Sequence, residues 1–280
     1  MAEDTPKDEL DAWNRASAGW ERRNDQVTRM TGGVARRMVE LLGPQPGETV
    51  LELASGVGDT GYLAAQALGA EGRLISTDFS PGMVDVARRR AETLGVVNVE
   101  HRVMDATAID LPDRSVDGVL CRFGLMLIPE PARVLADIRR VLGAEGGRAV
   151  VAVWAEPERN PWATTFGRAL VRAGHVAPPE PGGPGMFALA EPATLAGLAR
   201  AAGFTDVDVE ELELAAEYGS FEDYWGSIMD MAANTSALVA ALPEAARAEL
   251  RETVERDAEP YRAASGGYRF PAAALVAVAR

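Results

Sequence analysis

Lysine is almost missing from this chain: Lys7 is the only one, in a polar stretch near the start. That absence removes the usual residue of three chemistries. A Walker-type phosphate loop needs a Gly-Lys pair, and none occurs. A pyridoxal phosphate enzyme needs a lysine for its Schiff base. A short-chain dehydrogenase needs Tyr-x-x-x-Lys, which is absent as well. Histidine occurs only at His101 and His175 and cysteine only at Cys121. Without clustered carboxylates beside them, these do not make a dedicated metal site, so no metal is expected. One cysteine forms no intramolecular disulfide and suits a reducing compartment.

Basic charge is scarce too, with 28 Lys and Arg against 42 Asp and Glu and a net charge of −14. Phosphate-rich partners need clustered cations, so neither nucleic acid nor an anionic membrane is expected as partner. The run Arg88-Arg89-Arg90 falls in one helical turn and reads as a solvated face. No apolar run approaches the roughly 18 residues of a spanning helix. The start, MAEDTPKDEL, is acidic and polar, unlike a secretory signal or transit peptide. The expectation is a soluble, cytoplasmic protein.

What is present is a globular composition, 47% hydrophobic and 25% charged over 280 residues, enough for one large core with an elaborated lid. Residues 8–42 carry apolar side chains at helical spacing, and Gly43-Pro44 and Pro46-Gly47 then break the pattern. Short apolar runs alternate with amphipathic helices from there on, which signals a parallel sheet with crossover helices. Strands are expected at 49–53, 73–77, 99–103, 116–121 and 148–154. Helices run to Leu68, from the Ser80-Pro81 cap with Met83, Ala87, Ala91 and Leu94 on one face, and over 131–142. Beyond Trp154 the alternation loosens. Helices are expected over 161–173 and 191–202, a proline-glycine loop over 177–185, and strands at 205–214 and 272–279. A helical segment near 221–262 lies between those last strands.

The chemistry sits in VLELASGVGDTGYLAA, residues 50–65. Gly56-Val57-Gly58-Asp59-Thr60-Gly61 spells G-x-G-x-x-G, a nominal dinucleotide fingerprint. An acid, Glu52, ends the strand before it and would repel a pyrophosphate but favour a cation. Asp78 ends the second strand, Asp105-Ala106 follow the third, and Arg122 follows the fourth.

With the spacing Glu52-Leu53-Ala54-Ser55-Gly56-Val57-Gly58, the loop resembles motif I of the class I S-adenosylmethionine-dependent methyltransferases, with Ala54 at the first glycine. The likeness extends through Asp78, through MDATAIDLP, and through VDGVLCRFGLMLIPEPARVLADIRRVLGAEGGRAVVAVW. It covers about 46–155, and its details resemble the ubiquinone/menaquinone-biosynthesis C-methyltransferase-like group.

The resemblance implies a doubly wound, mostly parallel α/β sheet of seven strands, Rossmann-like, with helical lid insertions. One methyltransferase domain over 1–280 would divide into a helical cap (1–45), a cofactor-binding core (46–154), lid insertions (155–203 and 217–266) and last strands (204–214 and 268–280). It assigns S-adenosyl-L-methionine as cofactor, leaving S-adenosyl-L-homocysteine. Glu52, Ala54, Gly56, Gly58, Asp78, Phe79, Met83, Asp105, Ala106 and Arg122 would contact it. Asp78 would accept both ribose hydroxyl hydrogens, although it could also cap the Ser80 helix. Asp105 would take the adenine amine, or serve as a turn former, while the Ala106 amide would face a ring nitrogen. Phe79 and Met83 are either core or adenine contacts. The acceptor would be a small, partly apolar molecule methylated on O, N or C.

Among the remaining residues, Cys121 reads as a buried core thiol, and His101, inside a strand, as structural. His175, in the lid, is the one candidate for catalysis. Trp154, Trp162, Tyr218, Tyr224, Trp225, Tyr261 and Tyr268 are either lid core or the wall of an acceptor pocket. Two other functions stay open: an NAD(P)-dependent oxidoreductase using the literal glycine pattern, and a non-catalytic S-adenosylmethionine-binding module.

Overall fold

A computed structural model describes residues 7–143, 146–178 and 183–280. The chain opens with one long helix, α1 (Lys7–Leu42). An alternating series follows: β1 (Thr49–Leu53), α2 (Asp59–Leu68), β2 (Arg73–Asp78), α3 (Pro81–Leu94), β3 (Val99–Val103), β4 (Gly118–Arg122), α4 (Pro131–Val141) and β5 (Arg148–Trp154). The rest is α5 (Pro161–Arg172), α6 (Pro192–Ala201), β6 (Val207–Tyr218), α7 (Phe221–Met231), α8 (Ala233–Ala241), α9 (Glu244–Ala258) and β7 (Tyr268–Ala279). The expected cap of α3 forms, with Pro81 in its first turn and the Ser80 hydroxyl accepting the Met83 N–H.

The sheet has the expected seven strands, in the order β3-β2-β1-β4-β5-β7-β6. The first five pair in parallel, and β7 runs antiparallel between β5 and β6. From β1 the chain winds outward to β2 and β3, then returns to β4 and winds the other way. The crevice over the carboxyl ends of β1 and β4 is therefore the topological switch point, where this architecture binds ligands.

β7 is longer than its partner on one side. β5 ends at Trp154 opposite Ala274, while β6 stays paired with β7 as far as Tyr218 opposite Tyr268. The β6/β7 ribbon thus rises past the carboxyl edge of the sheet by about 20 Å, six residues at ~3.4 Å each. Pro271 lies in this overhang, where β5 no longer offers ladder partners and a missing N–H costs little. Tyr218, Tyr268 and Phe270 of the ribbon pack with Phe166 of α5, Tyr224 of α7 and Leu250 of α9 in a second core. That core joins the lid segments and the ends of β6 and β7 into a cap distinct from the expected helical cap of residues 1–45.

Several expectations need correction. The segment near 221–262 is three helices and a final 3-10 turn, because Pro243 starts α9 and Ala232 leaves helical geometry. Leu94 is 61% exposed, since α3 ends there in a left-handed Gly95. β4 begins at Gly118; Val116 makes only an isolated bridge to Leu142. Of the proline-glycine loop, residues 179–182 lie outside the described residues. Beyond them the chain returns to the sheet edge, where the Gly185 N–H bonds the Met126 carbonyl and Met186 and Phe187 pack on the main core.

Candidate functional site

Two residues with side chains hold the left-handed backbone at the switch point: Ala54 (φ 49°) after β1 and Phe123 (φ 60°) after β4. Such backbone costs a non-glycine residue on the order of 1–2 kcal/mol and concentrates at functional sites. The two turns interlock. A Cβ on Gly124 would overlap that of Ala54, so the methyl that replaces a glycine in the loop is matched by a glycine facing it.

The glycines of the loop answer to separate demands. Ser55 to Gly58 form a turn closed by the Gly58 N–H on the Ser55 carbonyl at 2.9 Å. Gly56 has φ 54° and open space where a Cβ would stand, a cradle for a close ligand. Gly58, φ 89°, is pressed against the Tyr62 ring, which leaves no room for a side chain. Gly61 leaves room for Glu52. The Glu52 carboxylate is 2% exposed, accepting the Gly61 N–H at 2.7 Å and the Ser76 hydroxyl at 3.0 Å. Burial pushes its pKa up to about 7 against the pull of those bonds. Glu52 was expected beside the cofactor; here its carboxylate fastens α2 and β2 to the end of β1.

Asp78 braces the loop from the end of β2. One carboxylate oxygen accepts the Gly56 N–H at 2.9 Å and the other the Ser80 N–H at 2.9 Å. Each oxygen keeps a further lone pair for a ligand hydroxyl. Burial raises its pKa to about 6, offset by the two amides. Phe79, next to it, is half-buried, whereas Met83 is 1% exposed and packs with Val57, Val86, Trp13 and Trp20. Met83 is thus core, closed off by α1. Asp105 accepts the Thr107 N–H at 2.8 Å, and Ala106 is buried after it. A third acid, Glu9, comes from the first turn of α1; burial and then the charge of Asp105 raise its pKa. Sequence periodicity could place Glu9 on a helix but not over β3.

Arg122 ends β4 with its guanidinium nearly enclosed. It donates to the Thr31 hydroxyl at 2.5 Å and to Asp59 at 3.4 Å, and lies 5.6 Å from the centre of the Phe123 ring. Asp59, the first residue of α2, also accepts from Asn24 at 3.0 Å and from Arg90 at 2.8 Å. Arg90 was expected on a solvated face. Only its neighbours behave so, Arg88 pairing with Asp85 and Arg89 with Glu21.

On the cap side, Phe123 stacks on Trp154 with centres 4.1 Å apart and planes within 6°, and Trp162 meets Trp154 edge-on at 5.0 Å. Trp162 and Met30 pack against both cores, bridging sheet and cap. Tyr218, Tyr224 and Tyr268 belong to the cap core, as one of the two sequence readings had it. His175 lies past the end of α5, a 12-residue helix about 18 Å long whose start is tied to the sheet edge by Asn160. Among the described residues its ring has no hydrogen bond. His101 is structural, contacting the Tyr62 hydroxyl at 3.0 Å. Cys121 is fully buried, its thiol pushed up to about 12 by burial. Among the described residues no cluster of His, Cys, Asp or Glu could hold a metal, and no helix is long and apolar enough to cross a membrane.

Residues 50–146 match the family described as "Methyltransferase domain". The chain is 36% identical over 138 residues to demethylmenaquinone methyltransferase of Renibacterium salmoninarum, covering 49% of this chain and 54% of that one. It is 37% identical over 117 residues to the ubiquinone/menaquinone biosynthesis C-methyltransferase UbiE of Hydrogenovibrio crunogenus, covering 41% and 46%. The chain spans about half the length of these curated relatives. Among solved structures, the YcgJ protein of Bacillus subtilis shares the fold with a TM-score of 0.57 at 19% identity, over 88% of this chain and 97% of that one. The expected resemblance and fold class are borne out. Residues 50–146 are thus similar to methyltransferase domains.

Proposed function

We propose that this protein is an S-adenosylmethionine-dependent methyltransferase acting on an O, N or C atom of a small, partly apolar molecule. The observation that carries this reading is the pairing of Gly56 with Asp78. A left-handed glycine opens a cradle, and the carboxylate that fixes its amide keeps lone pairs for ribose hydroxyls. In this reading Asp105 and the Ala106 amide, one strand over, take the exocyclic amine and a ring nitrogen of adenine. Phe79 is exposed enough to meet the base. Glu52 supports the loop from behind. Arg122 is assigned to the cofactor's amino-acid end, beside Ala54 and Gly58.

The bound cofactor supplies a methyl group on a sulfonium, which needs no metal and no redox step. The chain supplies position and dryness. Ala54 and Phe123 hold the two strand-end turns, and Met30 and Trp162 join the sheet core to the apolar core above it. Alignment and exclusion of water would lower the barrier without a dedicated base. The acidic balance of the chain argues for a small molecule over nucleic acid, and the single cysteine for the cytoplasm.

The nicotinamide reading has less support. A pyrophosphate docks on a helix N-terminus, and here the first residue of α2 is the Asp59 carboxylate. Calorimetry with S-adenosylhomocysteine and with NADH separates the two. The expected result is binding of the first alone; binding of NADH alone overturns the proposal. Release of S-adenosylhomocysteine in the presence of candidate acceptors separates an enzyme from a binding module.

A further inference from the structure

Arg90 has no role in the reading above. On α3 it follows Met83 and Val86 at helical spacing, on the stripe that faces the tip of the glycine loop and α1. One arm of its guanidinium donates to the carbonyl of Val57, the residue between Gly56 and Gly58. The other donates to Asn24 of α1 at 2.8 Å and to Asp59 of α2 at 2.8 Å. Asn24 closes the ring by donating to Asp59 at 3.0 Å. The side chain of Arg90 is 19% exposed and that of Asp59 10%. The planar fork suits this task, because a single cation must hold diverging acceptors at fixed angles.

The neighbouring contacts point the same way. The Val57 side chain is inserted between α3 and the tryptophans of α1. Asn14 of α1 accepts the Ser80 hydroxyl at 2.7 Å and the Gly82 N–H at 3.0 Å, next to Asp78. The N-terminal turns of α1 therefore rest on the segments that shape the cofactor cradle, and Arg90 is the group bonded to both the loop backbone and α1.

We propose that Arg90 is a positioning residue that couples the docking of α1 to the shape of the glycine loop. The inference rests on the cofactor assignment above. With α1 seated, Arg90 fixes the Val57 carbonyl and hence the turn presenting Gly56. When α1 lifts, Arg90 and Asp59 each lose Asn24. Coupling of this kind is reciprocal: whatever favours the formed loop favours a seated α1.

The test measures S-adenosylhomocysteine affinity by calorimetry, and hydrogen exchange of residues 7–24, in wild type, Arg90→Ala, Arg90→Lys and Asn24→Ala. Arg90→Ala is expected to weaken binding at least tenfold, with partial recovery on adding millimolar methylguanidine. Arg90→Lys should recover only part of the affinity. In wild type the ligand should slow exchange in 7–24, and in Arg90→Ala that protection should be lost even at saturation. Asn24→Ala should weaken binding in the same direction and add little to Arg90→Ala. Arg90→Ala binding within twofold of wild type overturns the proposal. So does a loss of affinity with the α1 protection intact, and if Arg90→Ala does not fold, Asn24→Ala binding as wild type does. Wild-type protein that binds no S-adenosylhomocysteine overturns the cofactor reading itself, which separates the two failures.

Discussion

The side chain of Ala54 occupies the space that a side chain on Gly124 would need. Ala54 sits where the loop motif has a glycine, and it pays for its methyl with a left-handed backbone. Gly124→Ala is therefore expected to destabilise the fold by about 1–3 kcal/mol, the range for overpacking. Ala54→Gly should remove the partner of that clash and recover most of the loss in the double variant. Urea unfolding decides it: an equal cost of Gly124→Ala in both backgrounds means the two turns are independent.

Glu52 makes stability depend on pH in an unusual direction. Its folded pKa, about 7, is above the ordinary 4.5. The folded state then holds the proton more tightly than the unfolded chain, so this contribution is full below pH 4.5 and is lost as pH rises through 7. Glu52→Gln keeps an acceptor for Gly61 without the charge. Relative to wild type, it should gain on the order of 2–3 kcal/mol between pH 4.5 and 8, at ~1.4 kcal/mol per unit. A stability difference that stays flat across that range would show that the folded and unfolded pKa values are the same.

Asp78→Ala removes the carboxylate that fixes the Gly56 amide and that the proposed function assigns to the ribose hydroxyls. A hydrogen bond to a charged group is worth about 1.5–3 kcal/mol, so S-adenosylhomocysteine affinity should fall by that amount. Calorimetry showing affinity within twofold of wild type takes Asp78 out of the site.

His175 has no hydrogen-bonded partner among the described residues and lies a helix length from Asn160. His175→Ala should lower kcat less than about tenfold, under the 10²–10⁴-fold typical of a positioned base. A thousandfold fall with cofactor binding intact would make His175 the base and point to an acceptor that needs deprotonation, such as a phenol.

The order of elements was legible because each strand from β1 to β5 is a short apolar run between breakers, and buried parallel strands have that look. What the pattern did not carry was direction across space. Glu52 was visible as an acid at a strand end. The strand is covered on both faces, so no alternation told that its carboxylate turns under α2. Arg90 looked like its neighbours because its partners Val57 and Asn24 lie 33 and 66 positions away. Met83 carried both readings until α1 was seen lying across it. The overhang of β7 was hidden for a similar reason: the length of a strand is readable from the chain, but where its neighbour stops is not.

That late strand also dictates how the molecule must be made. The outer edge of β5 meets β7, and Asn160 reaches Ala273 across 113 positions. α1 waits longer still, its Arg23 pairing with Asp223 across 200 positions and with Asp230 across 207. As the chain leaves the ribosome, the half with the glycine loop emerges with an apolar strand edge bare and its first helix only partly seated, on α2 and α3. Contacts of such sequence separation form slowly, and a bare strand edge invites pairing between chains. The hazard is one of timing and crowding: dilute, slow refolding should return more protein than rapid refolding at high concentration, however stable the finished fold.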